Sequence, residues 1–306
     1  MTDEQIKPMN QSRGTHVPHS IIQPPPKPHH QNRNNTMSNW NNKSAPMIWQ
    51  SDLKEVMFFD IETTTRYKTF AEYQESEPFM AKEFIRRNKG SKLTPEEAYV
   101  EEGMLHSEHG QVVSIAWKMY DKETNTFKSE TIGFSSWEEF ETVKGPHADR
   151  DILIRFNNRL KEMFGDSFVR MCGYAINSFD ITYLFNRMRA NGLEPQISLW
   201  ECLKTSWNNN HLDLKDHWKS PKHMSSFGMV CQLMGLATSK EDGISGEYVG
   251  SKFWNEGAVE QINKYCMDDV NAVARLANAF SIERMAVVES QTLEEWKERI
   301  EEDANL

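Results

Sequence analysis

The run Glu55-Val56-Met57-Phe58-Phe59-Asp60 constrains this chain most: four consecutive apolar side chains, closed at each end by a carboxylate. A short apolar run between polar residues reads as a buried strand. A buried strand needs covering elements, and the rest of the chain supplies them. Val112 to Met119 and Thr126 to Phe134 read as two more strands, joined by a turn from Asp121 to Asn125, and Phe168 to Tyr174 as a fourth. Asp149 to Phe164 has helical apolar spacing, with Ile152, Leu153, Phe156, Leu160 and Phe164 on one side. Phe179 to Ala190 reads as a helix closed by Asn191-Gly192. After residue 195 the pattern turns mostly helical, with helices expected at Ser225 to Leu236 and Glu256 to Phe280. Strands interleaved with helices predict an α/β layered fold, a mixed central β-sheet flanked by helices.

Three segments stand apart. Residues 1–46 hold seven of the twelve prolines and little apolar periodicity, which predicts a disordered arm. Residues 66–108 interrupt the strands and read as a helical insertion, where Thr94-Pro95-Glu96-Glu97 has capping-box spacing. Residues 283–306 carry three basic and eight acidic side chains and read as an acidic helix or tail. The folded domain is therefore expected over 47–282.

The formal net charge of −10 argues against broad non-specific binding to nucleic acid. Carboxylates that bind divalent ions can nevertheless make an acidic protein locally positive. Cys172, Cys202, Cys231 and Cys266 have no metal-finger spacing and read as reduced thiols of an intracellular, cytoplasmic protein. No apolar run is long enough to cross a membrane.

Three motifs carry chemistry. In Phe59-Asp60-Ile61-Glu62-Thr63, strand alternation points Asp60 and Glu62 the same way, and two carboxylates on one face repel unless a cation lies between them. In Gly173-Tyr174-Ala175-Ile176-Asn177-Ser178-Phe179-Asp180, a strand runs into a turn and Asp180 opens a helix, either as an ordinary helix cap or at a site beside the strand end. In Tyr265-Cys266-Met267-Asp268-Asp269, Tyr265 and Asp269 share a helical face close to apolar Ile262, Cys266, Val270 and Val273, whereas Asp268 turns toward solvent.

Together these motifs resemble those of the DEDD superfamily of 3′–5′ exonucleases, which have a ribonuclease-H-like fold. Tyr265 four residues before Asp269 is similar to the tyrosine subgroup. His211-Leu212-Asp213-Leu214, Ser226-Phe227, Gly235-Leu236, Lys240 and Asp242-Gly243 resemble stand-alone exonucleases related to the proofreading domain of family B DNA polymerases. The resemblance spans roughly residues 53–280. It implies two divalent ions, Mg²⁺ or Mn²⁺, held by Asp60, Glu62, Asp180 and Asp269, with Asp60 bridging them and Tyr265 orienting the attacking water. It also implies substrate contacts from Ile61, Thr63, Asn177 and Phe179. Arg86 and Arg87, with Lys89 and Lys92, form a basic cluster expected to track a nucleic-acid backbone or to be a solvated helix end. The implied substrate is single-stranded DNA or a 3′ DNA end. Replication or repair proteins are expected partners of the arm or tail. An exoribonuclease with the same site, or a non-catalytic binding module, are the alternatives.

Overall fold

The computed structural model describes residues 47–48, 51–204, 209–218, 225–238 and 246–281. The arm, the acidic tail, Lys240, Asp242 and Gly243 lie outside the described residues.

The expected buried strand is longer than its apolar run: β1 spans Val56–Thr65. β2 (Gly110–Asp121) pairs antiparallel with β1, and β3 (Thr126–Gly133) pairs antiparallel with β2. β4 (Arg170–Gly173) lies parallel to β1 on its other side, and β5 (Leu212–Asp213) parallel to β4. The order is β3-β2-β1-β4-β5, a mixed five-stranded sheet with β1 at its centre. The two-residue β5 falls in the half read as mostly helical; a strand this short has no periodicity to detect.

Alternation along β1 sorts its side chains between two cores. Met57, Phe59 and Ile61 pack with α5 (Arg150–Phe164) and α6 (Asp180–Ala190), through Ile152, Phe156, Leu160, Ile181 and Leu184. Phe59 stacks on Phe156 with ring centroids 5.5 Å apart. Val56 and Phe58 face the opposite way and pack with Cys266, Val270, Val273 and Ala277 of the 22-residue α10 (Val259–Phe280). Asp60 and Glu62 follow Phe58 in that parity, so they point toward α10. Helices thus flank both faces of the sheet.

The insertion consists of α1 (Phe70–Ser76), α2 (Pro78–Arg87) and α3 (Pro95–Glu102), then a 3-10 turn at Gly103–Leu105. Thr94 and Glu97 form the reciprocal capping box that their spacing predicts. The insertion has an aromatic core of its own, with Tyr73, Phe84 and Tyr99 fully buried and Tyr73 stacked on Tyr99 at 4.8 Å. Tyr73 Oη and His109 Nδ1 are hydrogen-bonded at 2.7 Å. Burial pushes the His109 imidazole down to about 4, so it is neutral there near neutral pH. Thr63 Oγ1 of β1 donates to the Met104 carbonyl (2.9 Å), fixing the end of the insertion beside the carboxylate strand.

Four further helices were not legible from periodicity: α4 (Trp137–Val143), α7 (Leu214–His217), α9 (Gly246–Ser251) and a π-helical turn at Lys252–Glu256. The helix expected at Ser225 to Leu236 is the shorter α8 (Phe227–Leu233), capped by the Ser226 side chain. Gly257 joins the π turn to α10 with φ +61°, and a Cβ there would meet the Trp137 ring at 3.1 Å, so both backbone and packing call for glycine. No helix among the described residues is long and apolar enough to cross a membrane.

Candidate active site

Three elements meet at one cleft of about 480 Å³. β1 contributes Asp60, Ile61, Glu62 and Thr63; the start of α6 contributes Phe179 and Asp180; α10 contributes Tyr265 and Asp269. The ladder between β1 and β2 slips by one residue between Glu62 and Thr63, a bulge of the kind that re-aims side chains beside sites.

Asp180 is the first residue of α6 but does not cap it; the capping position is Phe179, with no side-chain cap bond. β4 pairs with β1 only at Val56–Phe58, so the Ile61 N–H lies beyond that ladder. It donates instead to Asp180 Oδ1 at 3.2 Å, which ties the helix carboxylate to the carboxylate strand. The helix-cap explanation of Asp180 is therefore replaced by a strand-to-helix link.

The turn that delivers Asp180 is held by a residue that sequence spacing left without a role. Asp213 of β5 accepts from the backbone N–H groups of Ala175 (2.8 Å), Asn177 (3.2 Å) and Lys215 (3.0 Å). Ala175 has φ +64°, which costs an L-residue roughly 1–2 kcal/mol. Ala175→Gly should therefore stabilise the chain by about 0.5–1 kcal/mol after glycine's larger unfolded-state entropy is set against the relief. Urea unfolding of the two proteins measures this, and a destabilised glycine variant would contradict it.

The four carboxylates line the same cleft and act on one another electrostatically. The Asp60 carboxyl is held well above the ordinary carboxylate range, first by burial and then by Asp180, Asp269 and Glu62. Burial likewise pushes Asp180 up to about 8; its own backbone bonds oppose this, and Asp213 and Asp269 add to it. Tyr265 is buried, and its hydroxyl is hydrogen-bonded to Asp269. Burial, then Asp269 and Glu62, hold that phenol well above its usual value, so it remains protonated. Asp268, one residue along α10, is 35 % exposed and pairs with Lys264 at 3.3 Å, away from this cluster.

A raised carboxylate has a definite consequence for pH. Between the ordinary value of 3.8 and about 8, the folded chain keeps a proton at Asp180 that the unfolded chain has lost. The site's contribution to stability therefore falls as pH rises through that window. In chelator, Asp180→Asn should be more stable than the native chain at pH 8, by about 2–5 kcal/mol, with the difference shrinking toward pH 4. Thermal unfolding at both pH values reads it; a difference that grows on acidification would refute the assignment.

Phe179 lines the cleft and packs on Tyr183, with ring centroids 5.4 Å apart. Asn177 does not line the cleft; its Oδ1 is buried without a hydrogen-bond partner. Nor do Arg86 and Arg87 line it. They are exposed in the last turn of α2 and paired with Glu83 (2.7 Å) and Glu108 (3.5 Å). Lys89 and Lys92 are exposed in the link to α3. The insertion instead reaches the cleft through Glu101, Met104 and Leu105, and Tyr174, Phe227 and Glu247 line it as well. Asp213 and Phe227 stand in motifs that carry the family resemblance, but no local spacing gave their roles here.

No family model, curated protein or solved structure matches the chain.

Proposed function

We propose that this protein is a metal-dependent 3′–5′ exonuclease with a ribonuclease-H-like fold, of the tyrosine subgroup of the DEDD superfamily, acting on single-stranded or frayed 3′ ends of DNA. The observation that carries the reading is the convergence of Asp60, Glu62, Asp180 and Asp269, strong enough that three of them raise the fourth. The strand order, with the carboxylate strand central and one antiparallel arm, supports the fold. Resemblance to the proofreading domain of family B polymerases supports DNA as the substrate.

The donor set fits the proposed cations. Four carboxylates offer hard oxygen ligands, which suit Mg²⁺ or Mn²⁺. Their mutual repulsion at Asp60 is what a divalent cation would relieve. Two such ions, held by Asp60, Glu62, Asp180 and Asp269, would supply a nucleophilic hydroxide and take up charge on the leaving oxygen. The chain's own groups do the rest. Tyr265 stays protonated and offers a hydrogen bond beside Asp269, suited to aligning the attacking water. Phe179 and the apolar side chains of Met104 and Leu105 give a terminal base surfaces to stack or pack on. The backbone link from Ile61 to Asp180 fixes two of the carboxylates relative to each other.

The test is 5′-labelled single-stranded DNA incubated with Mg²⁺ or Mn²⁺, beside matched RNA and a chelator control. Stepwise shortening from the 3′ end, faster on DNA and stopped by chelator, is expected. Faster loss of RNA would transfer the activity to an exoribonuclease. No shortening of either strand with either metal would end the proposal.

A further inference from the structure

One group in the cleft region has no part in the hydrolysis just described. Cys266 follows Tyr265 on α10 and is fully buried beneath Asp60. Its thiol donates to the Asp60 carbonyl oxygen at 3.6 Å and lies 4.0 Å from Asp60 Oδ2. One ligand atom each from Asp60, Glu62 and Cys266 lie within 4.8 Å of one another. Ser114 pairs across the sheet with Glu62, on the same face. It is fully buried, and its Oγ has no hydrogen-bond partner. That hydroxyl and the Cys266 thiol are close enough to act on each other, short of a well-formed hydrogen bond. A buried hydroxyl without a partner is costly, and here it sits beside two carboxylates and a thiol.

We propose that Asp60, Glu62 and Cys266 form a mixed oxygen–sulfur site for a thiophilic divalent cation of the Zn²⁺ and Cd²⁺ class, entered from the cleft past Asp60. Sulfur selects such ions, whereas Mg²⁺ and Mn²⁺ prefer the carboxylates alone. Bond lengths of about 2.3 Å to sulfur and about 2.1 Å to oxygen span a 4.0 Å donor separation at an angle of about 130°, open to a four-coordinate ion. The cation takes the place of the thiol proton, which leaves to water, and forms one sulfur bond and carboxylate bonds; nothing is oxidised. Because Asp60 and Glu62 are shared, the soft ion competes with the hard ones. That competition rests on the hydrolytic reading above; the sulfur ligation does not.

The experiment is a Cd²⁺ titration of the full chain, followed by the ultraviolet sulfur-to-cadmium charge-transfer band. The native chain should develop the band at one equivalent, and Cys266→Ser should lose it although Cys172, Cys202 and Cys231 remain. Asp60→Asn should weaken Cd²⁺ binding by about tenfold or more, as expected for a lost charged ligand. A band that persists in Cys266→Ser, or an affinity unchanged by Asp60→Asn, would overturn the site. X-ray absorption of the Zn²⁺-loaded native chain needs no variant: one sulfur scatterer supports the site, and an all-oxygen or all-nitrogen shell refutes it. Failure of Mg²⁺ to compete, with the band intact, would count against the hydrolytic reading and leave the sulfur site standing.

Discussion

Asp60→Ala should abolish both divalent-ion binding and hydrolysis, the rate falling by several powers of ten. Asp60 lies where the repulsion of Asp180, Asp269 and Glu62 converges, so it is the ligand that a shared cation can least do without. Asp180→Ala should be nearly as severe, because it also frees the Ile61 N–H that ties α6 to β1. Asp269→Ala removes both a ligand and the partner of the Tyr265 hydroxyl, and belongs with them. Tyr265→Phe keeps the buried ring and loses only that hydrogen bond. Its rate should fall roughly 10- to 1000-fold with ion binding intact. Asp268→Asn is the internal control: its side chain faces Lys264, so activity should change little. Turnover of labelled DNA by the five variants reads the series. A dead Asp268→Asn beside an active Asp269→Ala would place the helix in another register.

The largest stability effect should come from Arg187→Met, a residue that is not among the proposed ligands. Arg187 is 1 % exposed and grips Asp149 with two bonds of 2.8 Å. It also donates to the Pro146 carbonyl at 2.9 Å. Asp149 in turn accepts from the Val112 N–H (3.2 Å) and from Asn191 Nδ2 (3.1 Å). The pair thus ties α6, the start of α5 and the central antiparallel strands together behind the cleft. Removing one partner leaves a buried charge uncompensated, at a cost of about 3–5 kcal/mol. Against a typical total of about 5–15 kcal/mol, that is a large fraction of the folded state's margin. Replacing both, as Arg187→Met with Asp149→Leu, should recover part of the loss, since neither charge is then left alone. Urea unfolding of the three variants measures this, and a double variant no better than the worse single one would contradict it.

Both effects depend on elements that differ in how plainly the chain announces them. β1 and α10 are written in periodicity: Val56 to Phe59 is a continuous apolar run, and Ile262, Cys266, Val270 and Val273 recur at helical spacing. The carboxylates are legible because they ride on those two elements and on a turn at a strand end. What spacing cannot carry is a contact between distant segments. Asp213 clamps the turn of Asp180 from a two-residue strand, and Arg187 meets Asp149 across 38 residues; neither contact has a local signature, although Asp213 itself stands in the His211-to-Leu214 motif. The ion pairs of Arg86 and Arg87 are hidden for a related reason. A basic pair looks the same in sequence whether its charge is free or taken up, and Glu108, which pairs with Arg87, lies beyond the whole of α3. Cys266 read as a core thiol, which its burial agrees with, but its neighbour Asp60 is 206 residues away.

The central claim is that the four carboxylates form one cation site, and Mn²⁺ binding tests it without assuming any substrate. Titration of the full chain, followed by the loss of the free Mn²⁺ paramagnetic resonance signal, should show saturable binding that Mg²⁺ displaces and that Asp60→Asn removes. Free signal undiminished at millimolar Mn²⁺, or binding that Asp60→Asn leaves untouched, would mean that the cluster is not a metal site.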